Sequence, residues 1–175
     1  VNEIGTYLGL PTQAYIALSD AKQLDAQAGL ESGMGATLAA LSGINNVSGP
    51  GMVDFENCQS LEKLVVDNEI CGMTFRLLEG ITPKEDFPAG PILQELLAER
   101  HLLIADHTLR YLGEEHFVPG PVIDRVSGSR WEEEGALTLG ERAHREINGL
   151  LERYEPAGLS EDTQSDLVNR VDTHG

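Results

Sequence analysis

Residues 15–47 read YIALSDAKQLDAQAGLESGMGATLAALSGINNV, and the order of patterns within them decides the fold. Tyr15 to Leu18 is a four-residue apolar run bounded by polar residues, the pattern of a short buried strand. From Asp25 to Leu41 the chain is rich in Ala, Leu and Gln, which predicts a helix. Gly29, Gly33, Gly35, Ala36, Ala39 and Ala40 would let that helix approach a sheet closely. Gly43 is its expected stop. Ile44 to Val47 then reads as a second short strand. Strand, helix and strand joined by short links imply parallel strands with a crossover helix, hence an α/β fold.

Beyond this unit Ser60 is a good N-cap. Lys63 stands at the third helical position, so the start is not a capping box. Leu61, Leu64, Val65, Cys71, Phe75 and Leu78 follow helical spacing and form the expected buried stripe. Asn68 interrupts that stripe and would need a buried partner. Gly80 and Pro83 end the helix. Residues 1–90 thus hold two βα units. The first ten residues show little periodicity. From Pro91 onward strand signals fade. Ile92, Leu93, Leu96 and Leu97 mark a third long helix, and residues 119–131, PGPVIDRVSGSRW, are irregular. A helix runs from Thr138 or Leu139 through Tyr154, and Ser160 caps a last one, Glu161 to Val171. Tyr111, Phe117 and Trp131 are expected to pack this region down.

The totals narrow the function. The chain has 175 residues, 41% hydrophobic and 23% charged, as expected of a folded soluble domain. No apolar run reaches the roughly 18 residues of a membrane span. No leader pattern opens the chain. The net charge is −17, from 29 acids and 12 bases. A field of that sign repels phosphate backbones and anionic lipid, so nucleic acid and membrane surfaces are poor partners. It suits a cationic ligand or a basic protein. Cys58 and Cys71 form no CxxC pair, and the five histidines show no HExxH spacing, so no metal site is expected. Isolated cysteines fit a reducing cytoplasm. His107 is the one histidine kept as a site residue.

Ligands of parallel α/β folds bind at the C-terminal ends of the strands. Ser19 and Asp20 stand there after the first strand, and Ser48 to Met52 after the second. A carboxylate in that place can hold a cation, and a serine can orient a polar group. Either Asp20 or Asp25 can instead cap the following helix, but one helix start needs only one cap. Gln27 and Glu31 are an i, i+4 pair on the same helix. The loop SGPGM carries no phosphate-binding pattern, although its glycines allow close approach of backbone to a ligand.

Several strings together resemble the C-terminal part of the trimethylamine methyltransferase family. They are LSDAKQLDAQAGLES (18–32), ALSGINNVSGPGMVD (40–54) and SLEKLVVDNEICGM (60–73). In the second half they are HTLRYLGEEHFVPGPVIDR (107–125), Trp131 and RAHREINGLLERYEP (142–156). The resemblance implies a (β/α)8 TIM barrel of several hundred residues that moves a methyl group from a methylated amine to the cobalt of a separate corrinoid protein. Residues 1–90 would then be its last βα units and residues 91–175 a mainly helical C-terminal extension. Members that carry pyrrolysine act on trimethylamine, and relatives without it include glycine betaine methyltransferases. No pyrrolysine occurs here, and Tyr15 to Leu18 falls near the strand that would carry it. A quaternary, betaine-like amine is therefore the expected substrate. Asp20 and Glu31 would supply charge, Tyr15 an aromatic face, and Ser19, Gln27 and Ser48 the groups that orient substrate. Gly49, Gly51 and Met52 would shape the rim where the corrinoid protein docks. The chain itself would bind no cobalamin directly, since the partner carries it.

A closed eight-stranded barrel takes about 250 residues. A chain of this length would expose sheet edges and apolar faces. It is therefore expected to form a homo-oligomer or to be completed by another chain. The alternative function is a non-catalytic binding or assembly module derived from such an enzyme.

Overall fold

A computed structural model describes residues 2–84, 88–156 and 158–174. Short strands and longer helices alternate in its first half: α1 (Asn2–Tyr7), β1 (Gln13–Ala14), α2 (Ala26–Ser42), β2 (Asn46–Val47), β3 (Met52–Val53), β4 (Cys58–Gln59) and α3 (Leu61–Glu79). The second half holds α4 (Gly90–Glu99), α5 (Asp106–Glu115), α6 (Gly128–Glu133), α7 (Leu139–Arg153) and α8 (Glu161–His174). The content is α/β in the first half and helical in the second.

β1 and β2 pair in parallel, with Gln13 opposite Asn46 and Ala14 opposite Val47. α2 is the crossover between them. Its ends follow the sequence: the Asp25 carboxylate accepts from the Gln27 and Ala28 amides, and Gly43 closes the helix in the left-handed conformation. The Ile44 amide reaches back to the Ala39 carbonyl at 3.0 Å, as in a Schellman cap.

The first strand is displaced from its expected place. It pairs at Gln13–Ala14, and Tyr15 to Leu18 lies outside the ladder. The reason is Ala17, whose φ of 63° breaks the extended run. Two glycines clamp this bend. A methyl group on Gly35 would come within 2.5 Å of the Ala17 nitrogen, and one on Gly49 within 2.8 Å of the Leu18 nitrogen. Helix α2 and the loop after β2 thus touch the bend with bare backbone.

The short β3–β4 hairpin is absent from the sequence pattern. Met52 pairs with Gln59 and Val53 with Cys58, antiparallel. Asp54, Phe55 and Glu56 turn the chain with φ of 52°, 54° and 68°. Asp54 and Asn57 are turn-forming types, but without a glycine they do not mark a hairpin.

Helix α3 has the expected bounds, but of the stripe expected to be buried only Val65 and Cys71 are half-buried. Lys63, Val66, Asp67, Glu69 and Thr74 are buried, whereas Leu61, Leu64, Phe75 and Leu78 are exposed. Asn68 is exposed too and needs no buried partner. The polar face turns inward because it has partners there: α2 on one side and the loop of residues 119–122 on the other. Glu69 accepts from the Gly120 amide at 2.8 Å. Val66 joins Val122 and Ala143 in the main apolar cluster, with Leu24, Val65, Ile70 and Leu139 around it. Helix α7 supplies Ala143 to that cluster and also buries Ile147. Its start is a complete capping box between Thr138 and Glu141.

Ile92, Leu93, Leu96 and Leu97 all fall in α4, a helix of ten residues, and α5 follows as a separate helix. Arg100 ends α4 with φ 60°, and a separate helix begins after Ala105. Charges fasten α5 to the end of α3: Arg76 meets Glu115 at 3.1 Å, and Lys84 meets Glu114 and Glu115 at 3.0 and 2.9 Å. Phe117 packs on Gly72, and the Trp131 indole donates to the Leu137 carbonyl at 2.9 Å.

Two glycines of α2 should respond oppositely to a methyl group. Gly35→Ala forces backbone apart and should cost about 1–3 kcal/mol. Gly33→Ala meets open space and should gain about 0.5–1 kcal/mol. Denaturant unfolding of both variants checks this, and equal effects would show that the Ala17 contact does not form.

Candidate functional site

The bend after β1 and the loop after β2 meet at the C-terminal ends of the two parallel strands. The Ser19 amide donates to the Met52 carbonyl at 3.1 Å, and the Asp54 amide to the Ala21 carbonyl at 3.0 Å. The hairpin thereby lies along residues 19–21.

Glu31 gathers the first polar group. Its Oε2 accepts from the Ser19 hydroxyl at 2.6 Å and from the Asp20 amide at 2.9 Å, and its Oε1 accepts from Gln27 Nε2 at 2.9 Å. Four residues expected to share a site are therefore together: Ser19, Asp20, Gln27 and Glu31. Their roles differ. Ser19 is 1% exposed, and its hydroxyl also accepts from the Ala21 amide at 2.9 Å. Ser19 and Glu31 hold the turn. Asp20 contributes backbone to this network, its carbonyl accepting from Lys22 Nζ at 2.7 Å, and it is half-buried at the edge of the turn. The serine hydroxyl, then the Gln27 amide and the Asp20 N–H, hold the Glu31 carboxyl below its usual range.

Tyr15 is 64% exposed at the end of β1. Ser48 accepts from Gln13 Nε2 at 3.3 Å across the strand ends. Lys22 lies 4.9 Å above the Phe55 ring and 3.1 Å from Asp54, so the hairpin already holds one cation on an aromatic face. Asp25 serves as the helix cap, which leaves Asp20 without that duty. Gly49 and Gly51, expected at the rim, are both buried beneath it. Met52 is half-buried in β3.

A second polar group, not anticipated from the sequence, lies under this loop. Lys63 is 0% exposed and Asp67 2%. The Lys63 ammonium donates to Asp67 Oδ2 at 2.5 Å and to the Ser32 hydroxyl at 2.7 Å. Ser32 donates in turn to the Ala17 carbonyl at 3.3 Å. The Gly51 amide donates to the same Asp67 oxygen at 2.6 Å. The i, i+4 spacing of Lys63 and Asp67 was visible, yet such pairs are ordinarily solvated surface pairs, and nothing in one sequence reports their burial.

His107 stands outside both groups, edge-on to Tyr111 at 4.9 Å in α5. Cys71 is half-buried, and burial, with a smaller push from the Asp67 charge, raises its thiol. Such a thiol is a poor nucleophile. Among the described residues, no three His, Cys, Asp or Glu side chains are placed to hold a metal ion. No helix among them is long and apolar enough to cross a membrane.

Comparison with known proteins extends this picture. The family model for trimethylamine methyltransferase (MTTB) matches residues 1–174. A glycine betaine methyltransferase of Desulfitobacterium hafniense is 31% identical over 166 residues, covering 94% of this chain and 34% of that protein. The trimethylamine methyltransferase MttB of Methanosarcina barkeri is 30% identical over 173 residues, covering 98% and 34%. MttB1 of Methanosarcina mazei gives the same identity and coverage. The chain spans about a third of the length of these relatives.

The Glu31 network has a consequence in acid. A carboxyl lowered in the native state lends stability that is full above the ordinary glutamate value and is lost as pH falls through the lowered native one. Glu31→Gln should therefore unfold less steeply with falling pH than the wild type. Thermal unfolding across the acid range checks this, and parallel curves would show that the carboxylate carries no such bonds.

Proposed function

Because the chain belongs to the trimethylamine methyltransferase family, we propose that it is the C-terminal part of a methyltransferase that takes a methyl group from a quaternary, betaine-like amine. The acceptor is the Co(I) of a corrinoid carried by a separate protein. The observation that carries this reading is the match over residues 1–174 together with the polar groups at the two parallel strand ends. The likeness to a glycine betaine methyltransferase is about equal to that to the trimethylamine methyltransferases and is compatible with the betaine-like choice.

The corrinoid, when docked, supplies the strong nucleophile that a methyl carbon on nitrogen requires. This chain's residues bind, orient and exclude water. Tyr15 and Asp20 suit the cationic end: an aromatic face and a carboxylate each attract an ammonium, the first by about 0.5–2 kcal/mol. Gln27 and Ser48 orient the polar end of the substrate. Ser19 and Glu31 keep the turn that carries Asp20 in place. Met52, with Gly49 and Gly51 beneath it, shapes the rim toward the corrinoid protein.

We read the two strands as the last units of a (β/α)8 barrel, residues 1–90, followed by a mainly helical extension from residue 91. Three features support this. Parallel strands are ordinarily covered on both faces and flanked by further strands. The outer edge of β2 runs along an apolar cavity of about 380 Å³ lined by Ala36, Ala39, Ile44, Val47, Phe75 and Leu78. The outward face of α2 displays Leu30, Met34, Leu38 and Leu41. Further polypeptide, of the same protein or another copy, would cover these surfaces.

The test is a methyl-transfer assay. Full-length protein, a corrinoid protein held reduced, and glycine betaine or trimethylamine are incubated, and the demethylated amine is measured. Product from glycine betaine is the expected result. Asp20→Asn should lower kcat/KM about tenfold or more, the loss of one charge-assisted contact. Unchanged turnover in that variant would remove Asp20 from the site, and no product with either amine would return the chain to a binding or assembly role.

A further inference from the structure

We propose that Lys63 and Asp67 are positioning residues of the amine site, holding the two strand-end loops in one register. The proposal rests on the methyl-transfer reading of those loops. Its support is geometric. Both members of the pair are buried on α3, and neither reaches the strand ends directly. Each instead holds one loop. Asp67 takes the Gly51 amide, and the next residue, Met52, accepts from Ser19. Lys63 takes Ser32, which holds the Ala17 carbonyl at the bend that leads into Ser19 and Asp20. The Gly51 carbonyl accepts from the Ser60 amide at 3.0 Å, so α3 grips this residue from both sides.

The carboxylate itself shows where the pair is aimed. Lys63 and Gly51 converge on Oδ2, while Oδ1 has no hydrogen-bond partner among the described residues. The pair therefore meets the loop at a single oxygen, shared by the ammonium and the Gly51 amide. A carboxylate oxygen accepts from the Gly51 amide by the stronger, charge-assisted kind of hydrogen bond. Gly51 takes its φ of 85° freely, as glycine does, so the hydrogen bond fixes the loop's place against α3.

The test separates positioning from stability. In the full-length protein, Lys63→Met combined with Asp67→Leu replaces the pair by apolar groups of similar bulk. Such exchanges commonly leave stability unchanged or raised. The expected result is a wild-type or higher Tm, exchange of the Gly51 and Ser19 amide hydrogens faster by about tenfold, and a KM for glycine betaine raised about tenfold with kcat less affected. A retained Tm with wild-type KM overturns the proposal, as does a raised KM with wild-type exchange at both amides. Should the double variant not fold, the isosteric Asp67→Asn is read at the same amides: faster exchange at Gly51 supports the proposal, and wild-type exchange overturns it. A wild-type protein inert toward both glycine betaine and trimethylamine overturns the methyl-transfer reading and the site role with it, while amide exchange still tells whether the pair holds the loop.

Discussion

The contact between Lys63 and Asp67 is the constraint on which the arrangement of the two strand-end loops depends. Burying two charges costs several kcal/mol per ion before their attraction is counted, and removing one partner typically costs about 3–5 kcal/mol. A pair in this situation needs partners, and the Lys63 ammonium and Asp67 Oδ2 have them. Ser32 of α2, the Gly51 amide and the turns of α3 itself surround it. With the polar face of α3 inward, Lys63, Asp67 and Glu69 each find a partner on a distant segment, while Leu61, Phe75 and Leu78 point out.

The second constraint is closeness. Helix α2 brings small residues to the interior, Ala28, Ser32, Gly35, Ala36 and Ala39, and carries its large ones outward. Bare backbone at Gly35 and Gly49 lets the bend at Ala17 sit against both the helix and the loop after β2. The left-handed Ala17 costs some conformational energy, and the surrounding contacts keep it there. Its effect is to swing Ser19 and Asp20 out of line with β1 and over toward the hairpin, where Met52 receives the Ser19 amide.

These two constraints divide the polar residues of the strand ends into holders and faces. Ser19, Glu31, Ser32, Lys63 and Asp67 spend their hydrogen-bonding capacity on backbone and on one another. Tyr15, Asp20, Gln27 and Ser48 remain half-buried or exposed at the surface. A site for a cationic amine needs both kinds: faces that attract the charge, and a framework stiff enough that they do not rearrange when water leaves.

How much of this was written in the residues varies with the range of the interaction. Helix bounds were readable because caps are local. Asp25, Gly43, Ser60, Gly80 and Thr138 act on backbone groups a few positions away. The parallel pairing followed from the strand, helix and strand order, and the grouping of Asp20, Gln27 and Glu31 from strand-end position and helical spacing. The β1 register was missed because the Ala17 bend is imposed by Gly35 and Gly49, 18 and 32 residues away. The hairpin was missed because its turn uses Asp, Phe and Glu where a glycine would have signalled it. The buried face of α3 was missed because periodicity reports that a helix has an apolar stripe, and only the neighbours decide whether that stripe is the buried one. Local chemistry, readable in order along the chain, determined the main helix ends and the strand, helix and strand order, and the resemblance of whole strings pointed to the family. Tertiary structure alone decided which face of α3 is inside and which carboxylates hold the loops, because a buried charge is tolerable only where distant segments bring it partners.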